Sequence, residues 1–412
     1  MAVWEFNRGE WTEAYVFLRL LGDGRIYGAS IDLVKDELTY IDIINIIRDE
    51  PDKCLIFERF IKDEIVYVQS YKNDEKLKVV IAPEFTKKAT FLYEKIKNVS
   101  SGDRKIKIPE IQKYLEDLNI ESPKANLSDK AKEKYGAKTD IIVTTEDSFD
   151  HIRTVGGFSI KSHIGSSPTL FNCSSTSGFV YRIVGCDNAG MYQLNYKDSF
   201  CDIISCIKEN YALEYIGCRN DIFEQNIRIV DSKMDEILQQ AMLIQIGYID
   251  ELNSNRISDI CNSLSKLNPI GVKNPNVFYE AKLKTFLFAS FAGLTASTEW
   301  NGRKKLTGGY IDVDRDGGLL YYRAISDDIF EHYLYKHTYV DRPDRGVYKT
   351  LAVEEAKSYI DKKRSLTEEE KNKILYKNGI SGTKNSKKGD FGYVYQKDGD
   401  FFIAINFQIR FR

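Results

Sequence analysis

Two short apolar runs near the centre of the chain constrain its fold more than any other feature. The first is Asp140-Ile-Ile-Val-Thr-Thr, and the second is Gly156-Gly-Phe-Ser-Ile-Lys161. Their length and their β-branched and aromatic residues predict two strands, and pairing of those strands would place Asp140 near Lys161. Because alternate residues of a strand share a face, Ser159 and Lys161 point the same way. An acid beside a lysine is what metal-dependent cleavage of a phosphodiester needs, although such groups at strand ends also serve simply as solubilising surface charges.

Helix and strand patterns surround this pair. Asn7 predicts the start of a first helix with Glu10 as its capping-box partner, and Leu21-Gly-Asp-Gly predicts its end. A strand meander is predicted over 53–82 and a helix over Phe85 to Val99. We expect Thr169-Leu-Phe-Asn and the run from Gly178 to continue the sheet of the central strands. A mainly helical stretch over 199–297 follows, and strands return over 307–322, 332–340, 392–395 and 401–411.

These patterns predict an α/β (α+β) protein in which helices flank a mixed sheet, with additional helical and β-rich segments. A length of 412 residues allows two or three domains of ordinary size. We expect residues 1–135 to hold the N-terminal helix, the meander and a connecting region. Residues 136–300 would form a catalytic core with a helical middle, and residues 301–412 a β-rich, basic region that contributes to nucleic-acid binding.

Composition excludes several classes of protein. No apolar run approaches the roughly 18 residues of a membrane-spanning helix, and the first residues do not resemble a signal peptide, so we expect a cytoplasmic protein. The seven cysteines form no Cys-x-x-Cys pair, which predicts reduced thiols and no zinc ribbon. The net charge is −2, but residues from 301 onward carry +5. That asymmetry fits either a phosphate-binding face or an ordinary solvated surface.

Four separate blocks of sequence resemble one nuclease family. The central block is Gly157-Phe-Ser-Ile-Lys-Ser162 followed by Ile164-Gly-Ser-Ser-Pro-Thr-Leu-Phe-Asn-Cys-Ser174. It resembles the signature of the HpaII-type restriction endonucleases, members of the PD-(D/E)xK nuclease superfamily. Further resemblance lies in Asn7-Arg-Gly-Glu-Trp-Thr-Glu13, Thr307-Gly-Gly-Tyr-Ile-Asp-Val313 and Ile405-Asn-Phe-Gln-Ile-Arg-Phe411. The resemblance therefore covers most of the chain, and it implies a PD-(D/E)xK-like mixed sheet.

The resemblance also implies a set of catalytic residues and a Mg²⁺ cofactor. Asp140 would give the metal an anionic oxygen, the backbone carbonyl of Ile160 would be a second ligand, and Lys161 would polarise the attacking water. Ser159 occupies the position that is acidic in many superfamily members, and it agrees with the Ser-x-Lys form of the resembled family. A serine hydroxyl is a poorer metal ligand than a carboxylate. The identity of the second carboxylate is therefore open.

Two acids of the first helix are candidates for that carboxylate. Glu10 already has a structural role as the capping-box partner of Asn7. Glu13 lies one turn further along, where a helix packed on the sheet could aim it at Asp140, although a solvated helix position is the alternative. We therefore predict Glu13 as the missing catalytic and metal-binding acid.

Base recognition is expected on other segments, because hydrogen bonds to base edges carry sequence information and metal ligands do not. Gln408 and Arg410 alternate with apolar residues, so they share one strand face and could point outward at DNA. The alternative for that strand is an edge strand with ordinary polar outer positions. The predicted DNA-binding residues are Ser166, Ser167, Thr169, Asn172, Arg303, Lys304, Gln408 and Arg410.

Other motifs favour structural roles. Asp312-Val-Asp-Arg-Asp-Gly317 matches half of a calcium-binding loop, but Arg323 stands where a bidentate acid is required, so a hairpin turn is predicted there. His163 could assist proton transfer, yet a lone histidine is more often structural. There is no Walker loop, dinucleotide fingerprint or nucleophile elbow.

Together these features predict a type II restriction endonuclease that cuts a specific double-stranded DNA sequence by Mg²⁺-dependent hydrolysis. The type member of the resembled family recognises CCGG, but long unmatched segments leave the site of this chain open. A homodimer would fit a palindromic site, and a cognate DNA methyltransferase is expected as a partner. The alternatives are a repair or structure-selective nuclease, a noncatalytic DNA-binding protein with the same fold, and a structural interaction protein.

Overall fold

The structure is a computed structural model, and it groups the chain into two compact units. Unit 1 comprises Met1–Pro168 and Arg303–Tyr333, and unit 2 comprises Thr169–Gly302 and Leu334–Arg412. The sequence analysis divided the chain by expected function into three regions, with boundaries at residues 135 and 300. That division stays a prediction. The structure describes residues 3–30, 34–99, 105–165, 167–172, 176–197, 199–250, 252, 254–305, 307–323, 327–341, 351–363, 365–375 and 391–411.

The first part of the chain alternates between strands and helices. It contains α1 (Arg8–Asp23), β1 (Arg25–Ala29), β2 (Lys35–Asp49), β3 (Cys54–Lys62), β4 (Ile65–Lys72), β5 (Glu75–Ile81), α2 (Ala82–Lys97), α3 (Pro109–Glu116), α4 (Asp129–Tyr135), β6 (Ile141–Asp147) and β7 (Arg153–Ser162).

The middle of the chain is mainly helical. It contains β8 (Thr169–Phe171), β9 (Gly178–Val184), α5 (Asn188–Tyr196), α6 (Phe200–Asn210), β10 (Ala212–Cys218), α7 (Asp221–Val230), α8 (Met234–Gln245), α9 (Ile257–Leu267) and α10 (Pro275–Ala292). The predicted helical stretch is confirmed except at β10, which the sequence analysis missed.

The last part of the chain returns to strands with helices between them. It contains β11 (Gly309–Val313), β12 (Leu319–Arg323), α11 (Asp327–His337), β13 (Thr338–Val340), α12 (Leu351–Asp361), α13 (Glu368–Ile374), β14 (Val394–Lys397), β15 (Asp400–Asn406) and β16 (Ile409–Phe411). No helix among the described residues combines the length and apolar character that crossing a membrane requires.

Unit 1 is built on one mixed sheet, as predicted. Its strands lie in the order β1-β12-β11-β7-β6-β2-β3-β4-β5, so the predicted pair β6 and β7 is at the centre. The β6–β7 pair is antiparallel, and β7 pairs with β11 in parallel. Apolar residues of α1 and α2 share one buried core with the sheet. The helix and the sheet are in direct contact there: the rings of Phe17 on α1 and Phe57 on β3 pack edge to face, with their centroids 4.9 Å apart.

Helix α1 forms as its sequence predicts. The Asn7 side chain accepts a hydrogen bond from the Glu10 N–H (3.0 Å), and the Glu10 carboxylate accepts one from the Asn7 N–H (2.9 Å), which completes the capping box. Gly24 ends the helix in the left-handed conformation (φ 73°), and its N–H donates to the Leu20 carbonyl. Trp11, Val16 and Leu18 are among the side chains buried by this helix.

Unit 2 contains two smaller sheets, and here one expectation was wrong. The strands β8 and β9 do not continue the sheet of β6 and β7. Strand β9 pairs with β10 and β15 in a four-stranded sheet, and β8 pairs with β16 in a three-stranded sheet. Each of them has one partner, β16 for β8 and β15 for β9, that lies more than two hundred residues further along the chain. Sequence patterns define a strand but do not identify so distant a partner.

The segment from His332 to Val340 was also predicted incorrectly. It forms the last turns of α11, and only β13 is extended. Aromatic and β-branched residues favoured a strand, but Phe330, Tyr333 and Leu334 recur at helical spacing and are all buried. Burial of that helical stripe prevailed over the local strand preference.

Candidate active site

Two adjacent glycines of β7, Gly156 and Gly157, allow other segments of the chain to lie very close to this strand. A Cβ atom on Gly156 would lie 2.8 Å from the Cα atom of Gly308. A Cβ atom on Gly157 would lie 2.5 Å from the Thr139 hydroxyl and 2.8 Å from the Tyr135 Cβ. Any larger side chain would therefore displace the loop that leads into Asp140. The Gly-Gly step thus brings Asp140 against β7.

Asp140 is fixed by β7 rather than left at the sheet surface. Its N–H donates to the Phe158 carbonyl (2.9 Å), which extends the β6–β7 ladder by one residue. Its Oδ2 accepts hydrogen bonds from the Ile160 N–H (2.7 Å) and the Ser159 hydroxyl (3.1 Å). Two donors on one oxygen orient the carboxylate and stabilise its charge. Ser159 therefore has a clear role here, as a donor to the acid.

The backbone of Ile160 also faces Asp140. In a strand, the N–H and the C=O of one residue point to the same side, and the Ile160 N–H points at the Asp140 carboxylate. The Ile160 carbonyl is therefore directed to the same side, beyond the first residue of β6. That orientation agrees with the ligand role predicted for this carbonyl.

Helix α1 brings Glu13 into the electrostatic range of Asp140. The Glu13 carboxyl is partly buried, and burial raises its pKa to about 9, with a further contribution from the Asp140 carboxylate. Burial likewise raises the pKa of Asp140, while the charge of Lys161 and the hydrogen bonds from β7 oppose that rise. Two acids that interact in this way disfavour ionisation of both, and a cation between them would relieve the repulsion. The structure thus brings together Glu13 and Asp140, which are 127 positions apart in sequence.

Two lysines contribute positive charge to the same site. Burial lowers the pKa of Lys161, and the nearby Asp140 and Glu13 carboxyls oppose that change. Burial also lowers the pKa of Lys138 to about 8, with a contribution from the charge of Lys161. Among the described residues, no carboxylate lies within 4.0 Å of the Lys161 ammonium. The sequence analysis missed Lys138, although its place two residues before Asp140 was a usable signal.

Further cations support the acidic side of the site. The ammonium of Lys124 pairs with Glu10 (2.7 Å), and its positive charge opposes part of the rise in the pKa of Glu13. The buried Arg48 donates to the backbone carbonyls of Ser122 (3.0 Å) and Lys124 (2.7 Å), which holds the Lys124 segment in place. Glu10 thus has the structural role expected for it, and Glu13 is the acid nearer to Asp140.

The available oxygens fit a hard divalent cation such as Mg²⁺. Glu13 and Asp140 supply two carboxylates, and the Ile160 carbonyl supplies a third oxygen. Mg²⁺ commonly binds through one or two carboxylates and keeps several waters. In the part of the chain that the structure describes, no group of three or more His, Cys, Asp or Glu side chains is arranged as a metal site. The site therefore offers the few carboxylates typical of Mg²⁺ and lacks the clustered ligands of structural zinc.

The predicted hairpin turn after Asp312 is confirmed. Strands β11 and β12 pair antiparallel, and the Asp314 carboxylate accepts hydrogen bonds from the N–H groups of Asp316 (2.7 Å) and Gly318 (2.8 Å). Asp312 itself is buried and lies 3.0 Å from the Nε2 atom of His163.

The DNA-binding candidates of unit 1 lie on two segments. Ser167 is partly buried, and Ser166 lies outside the described residues. Arg303 and Lys304 are exposed. Their segment leads into Thr307, whose hydroxyl accepts from the Gly157 N–H (3.0 Å) and donates to the Tyr135 carbonyl (3.2 Å). The basic segment is thus attached to the loop and the strand that carry Asp140 and Lys161.

The remaining candidates belong to unit 2, where strand pairing brings two of them together. Arg410 on β16 is in register with Thr169 on β8, and its Nε atom pairs with Asp341 (2.8 Å). Asn172 is exposed just after β8. The outward orientation expected for Gln408 is wrong, because this residue is buried before β16 begins. The edge-strand alternative is wrong as well, since β16 lies between β13 and β8.

Comparisons with known proteins agree on one family. The sequence profile described as HpaII restriction endonuclease matches residues 7–363. The chain is similar to a type II restriction enzyme, HpaII, from Haemophilus parainfluenzae, with 33% identity over 414 aligned residues that cover 98% of each protein. No solved structure matches the chain significantly.

Proposed function

This chain belongs to the HpaII restriction endonuclease family, and we propose that it is a type II restriction endonuclease that hydrolyses double-stranded DNA at a specific sequence with Mg²⁺. The observation that carries the proposal is the cluster of Glu13, Asp140 and Lys161 in unit 1. It supplies two acids and a cation beside the Ile160 carbonyl. This set is suited to cleavage of a phosphodiester by direct attack of water.

Each residue has a distinct task in the proposed reaction. Mg²⁺, when bound, supplies a Lewis acid that offsets the charge developing on the phosphoryl oxygens. Glu13 and Asp140 bind the cation, and the hydrogen bonds from Ser159 and Ile160 keep the Asp140 carboxylate oriented. The Lys161 ammonium, which has no carboxylate within 4.0 Å among the described residues, orients the attacking water and contacts the scissile phosphate. The reaction proceeds without a covalent intermediate.

The proposed partners follow from the reaction. Double-stranded DNA is the substrate. A homodimer would match the symmetry of a palindromic recognition site, and a DNA methyltransferase would protect that site in the host. The second candidate function is a nuclease of the same fold with a repair role, and the family membership favours restriction over it.

Digestion of plasmids of known sequence in Mg²⁺ tests the proposal. We expect discrete, reproducible fragments whose ends map to one short sequence. The control is the Lys161→Ala variant, which we expect to bind DNA without cutting it. A smear of products, a preference for branched DNA, or cutting by the control equal to that of the wild type would contradict the proposal.

A further inference from the structure

One histidine beside the cleavage site is held by a buried hydrogen-bond chain. His163 lies two residues after Lys161, and its N–H continues the β7–β11 pairing by donating to the Val313 carbonyl (2.8 Å). Because alternate residues share a face, Lys161 and His163 point to the same side of the sheet. The His163 Nε2 atom lies 3.0 Å from the Oδ1 atom of Asp312 on β11. This contact directs the ring toward β11, on the side of β7 away from Asp140.

The hydrogen bonds around Asp312 determine which groups donate protons and which accept them. The Tyr310 hydroxyl donates to Asp312 Oδ1 (3.0 Å), and it also lies 2.5 Å from the Tyr333 hydroxyl. Burial raises the pKa values of both tyrosines well above their ordinary range, so both keep their protons. Asp312 is therefore the acceptor in this chain, and His163 donates its Nε2–H to it. The second ring nitrogen, Nδ1, makes no hydrogen bond to any residue that the structure describes.

The position of this ring suits a DNA backbone that passes Lys161. Two residues of a strand span about 6.6 Å, which is close to the distance between consecutive phosphates of one DNA strand. The His163 side chain keeps 15% of its surface exposed, whereas that of Asp312 keeps 6%. Asp312 thus holds the ring from its more buried side, while the exposed part of the ring is available to a ligand.

We propose that His163, oriented by Asp312, binds a backbone phosphate of the DNA next to the phosphate at Lys161. This inference rests on the proposed function and adds a residue to it. With Nε2–H given to Asp312, a contact from the ring to a phosphate oxygen requires a second proton on Nδ1. Asp312 acts through His163 as a positioning residue.

Salt dependence of DNA binding tests the phosphate contact. Binding of a labelled duplex that carries the mapped cleavage site is measured by fluorescence anisotropy without divalent cations, so that no cleavage occurs. We expect His163→Gln to lower the affinity about tenfold and to reduce the slope of log K against log salt by about 0.9, the value for one phosphate contact. His163→Lys should restore the slope.

Two controls separate this contact from a structural role. His151→Gln removes an exposed histidine from the β6–β7 turn, at the far end of the same strands, and should leave the slope unchanged. Asp312→Asn should reduce the slope as His163→Gln does, and the double variant should show no further loss. If the wild type cleaves the duplex but His163→Gln keeps its slope and affinity, this inference is wrong and the proposed function stands. If the wild type cleaves no DNA, the proposed function fails first.

Discussion

At the scale of single residues, the site explains how a serine replaces an acid two positions before the lysine. Ser159 is buried, and its hydroxyl donates to the Asp140 carboxylate, so it orients the acid that we propose as a metal ligand. The acid proposed as the second carboxylate is Glu13, on α1. Burial and the nearby Asp140 carboxylate raise its pKa.

The role proposed for Glu13 is tested by Glu13→Gln. We expect a loss of cleavage of more than about 100-fold and weaker Mg²⁺ binding, because the variant removes a direct ligand, whereas changes to partners of metal ligands already cost 10–100-fold. Cleavage rates and calorimetric titration with Mg²⁺ measure the two effects. Glu10→Gln is the matched control, since Gln also completes a capping box. Normal cleavage by Glu13→Gln would remove Glu13 from the site.

The same variant carries a prediction about pH. The pKa of Glu13 is about 9 in the folded protein and near 4.5 when unfolded. Between these values the folded state keeps a proton that the unfolded state loses, so wild-type stability falls as pH rises through this range. Glu13→Gln removes that loss. The metal-free variant should therefore unfold at a higher temperature than the metal-free wild type at pH 8, by thermal denaturation. An equal or lower unfolding temperature would contradict the raised pKa.

At the scale of secondary-structure elements, the site depends on two close approaches. Helix α1 must stay in register to present Glu13, and its capping box and buried face hold it on the sheet. The loop before β6 must lie against β7 to present Asp140, and the absence of a side chain at Gly157 permits this. The cap was predicted from the sequence, whereas the close approach at Gly157 is seen only in the structure.

Gly157→Ala tests the second approach. The new methyl group would overlap the Thr139 hydroxyl and the Tyr135 Cβ, and the displaced loop would carry Asp140 away from β7. We expect cleavage to fall at least tenfold, together with a loss of about 1–3 kcal/mol of unfolding free energy, the usual cost of overpacking. Urea denaturation and cleavage rates measure both. Gly271→Ala is a control without a steric conflict, because no atom lies within 4 Å of its Cβ position, although its φ of 69° adds some strain. Wild-type cleavage by Gly157→Ala would exclude this role of the Gly-Gly step.

At the scale of the whole molecule, the described residues form two units of different construction. Unit 1 holds the nine-stranded sheet and every residue of the proposed cleavage site. Unit 2 combines helices with two small sheets, in which Thr169 and Arg410 are brought into register. Cleavage and part of the predicted base recognition thus belong to different units. The folded state of unit 1 should respond to the metal.

Mg²⁺ should therefore stabilise the folded protein. A ligand that binds the folded state alone adds about 2.7 kcal/mol at one hundred times its dissociation constant. We expect the unfolding temperature of the wild type to rise with Mg²⁺ concentration in differential scanning calorimetry. Asp140→Asn should show little rise, because it removes a carboxylate ligand. An equal rise in both proteins would show that the cation binds elsewhere.

The sequence by itself determined the local features: the cap of α1, the central strand pair, the turn after Asp312 and the family resemblance that links Asp140 to Lys161. These depend on short-range sterics and on side chains a few residues apart. Only the tertiary structure decided that Ser159 serves Asp140, that Lys138 joins the site, and that Asp312 holds His163. It also paired β8 with β16 and left α11 helical where a strand was expected. Such outcomes depend on burial and on contacts between distant parts of the chain, which local sequence patterns do not encode.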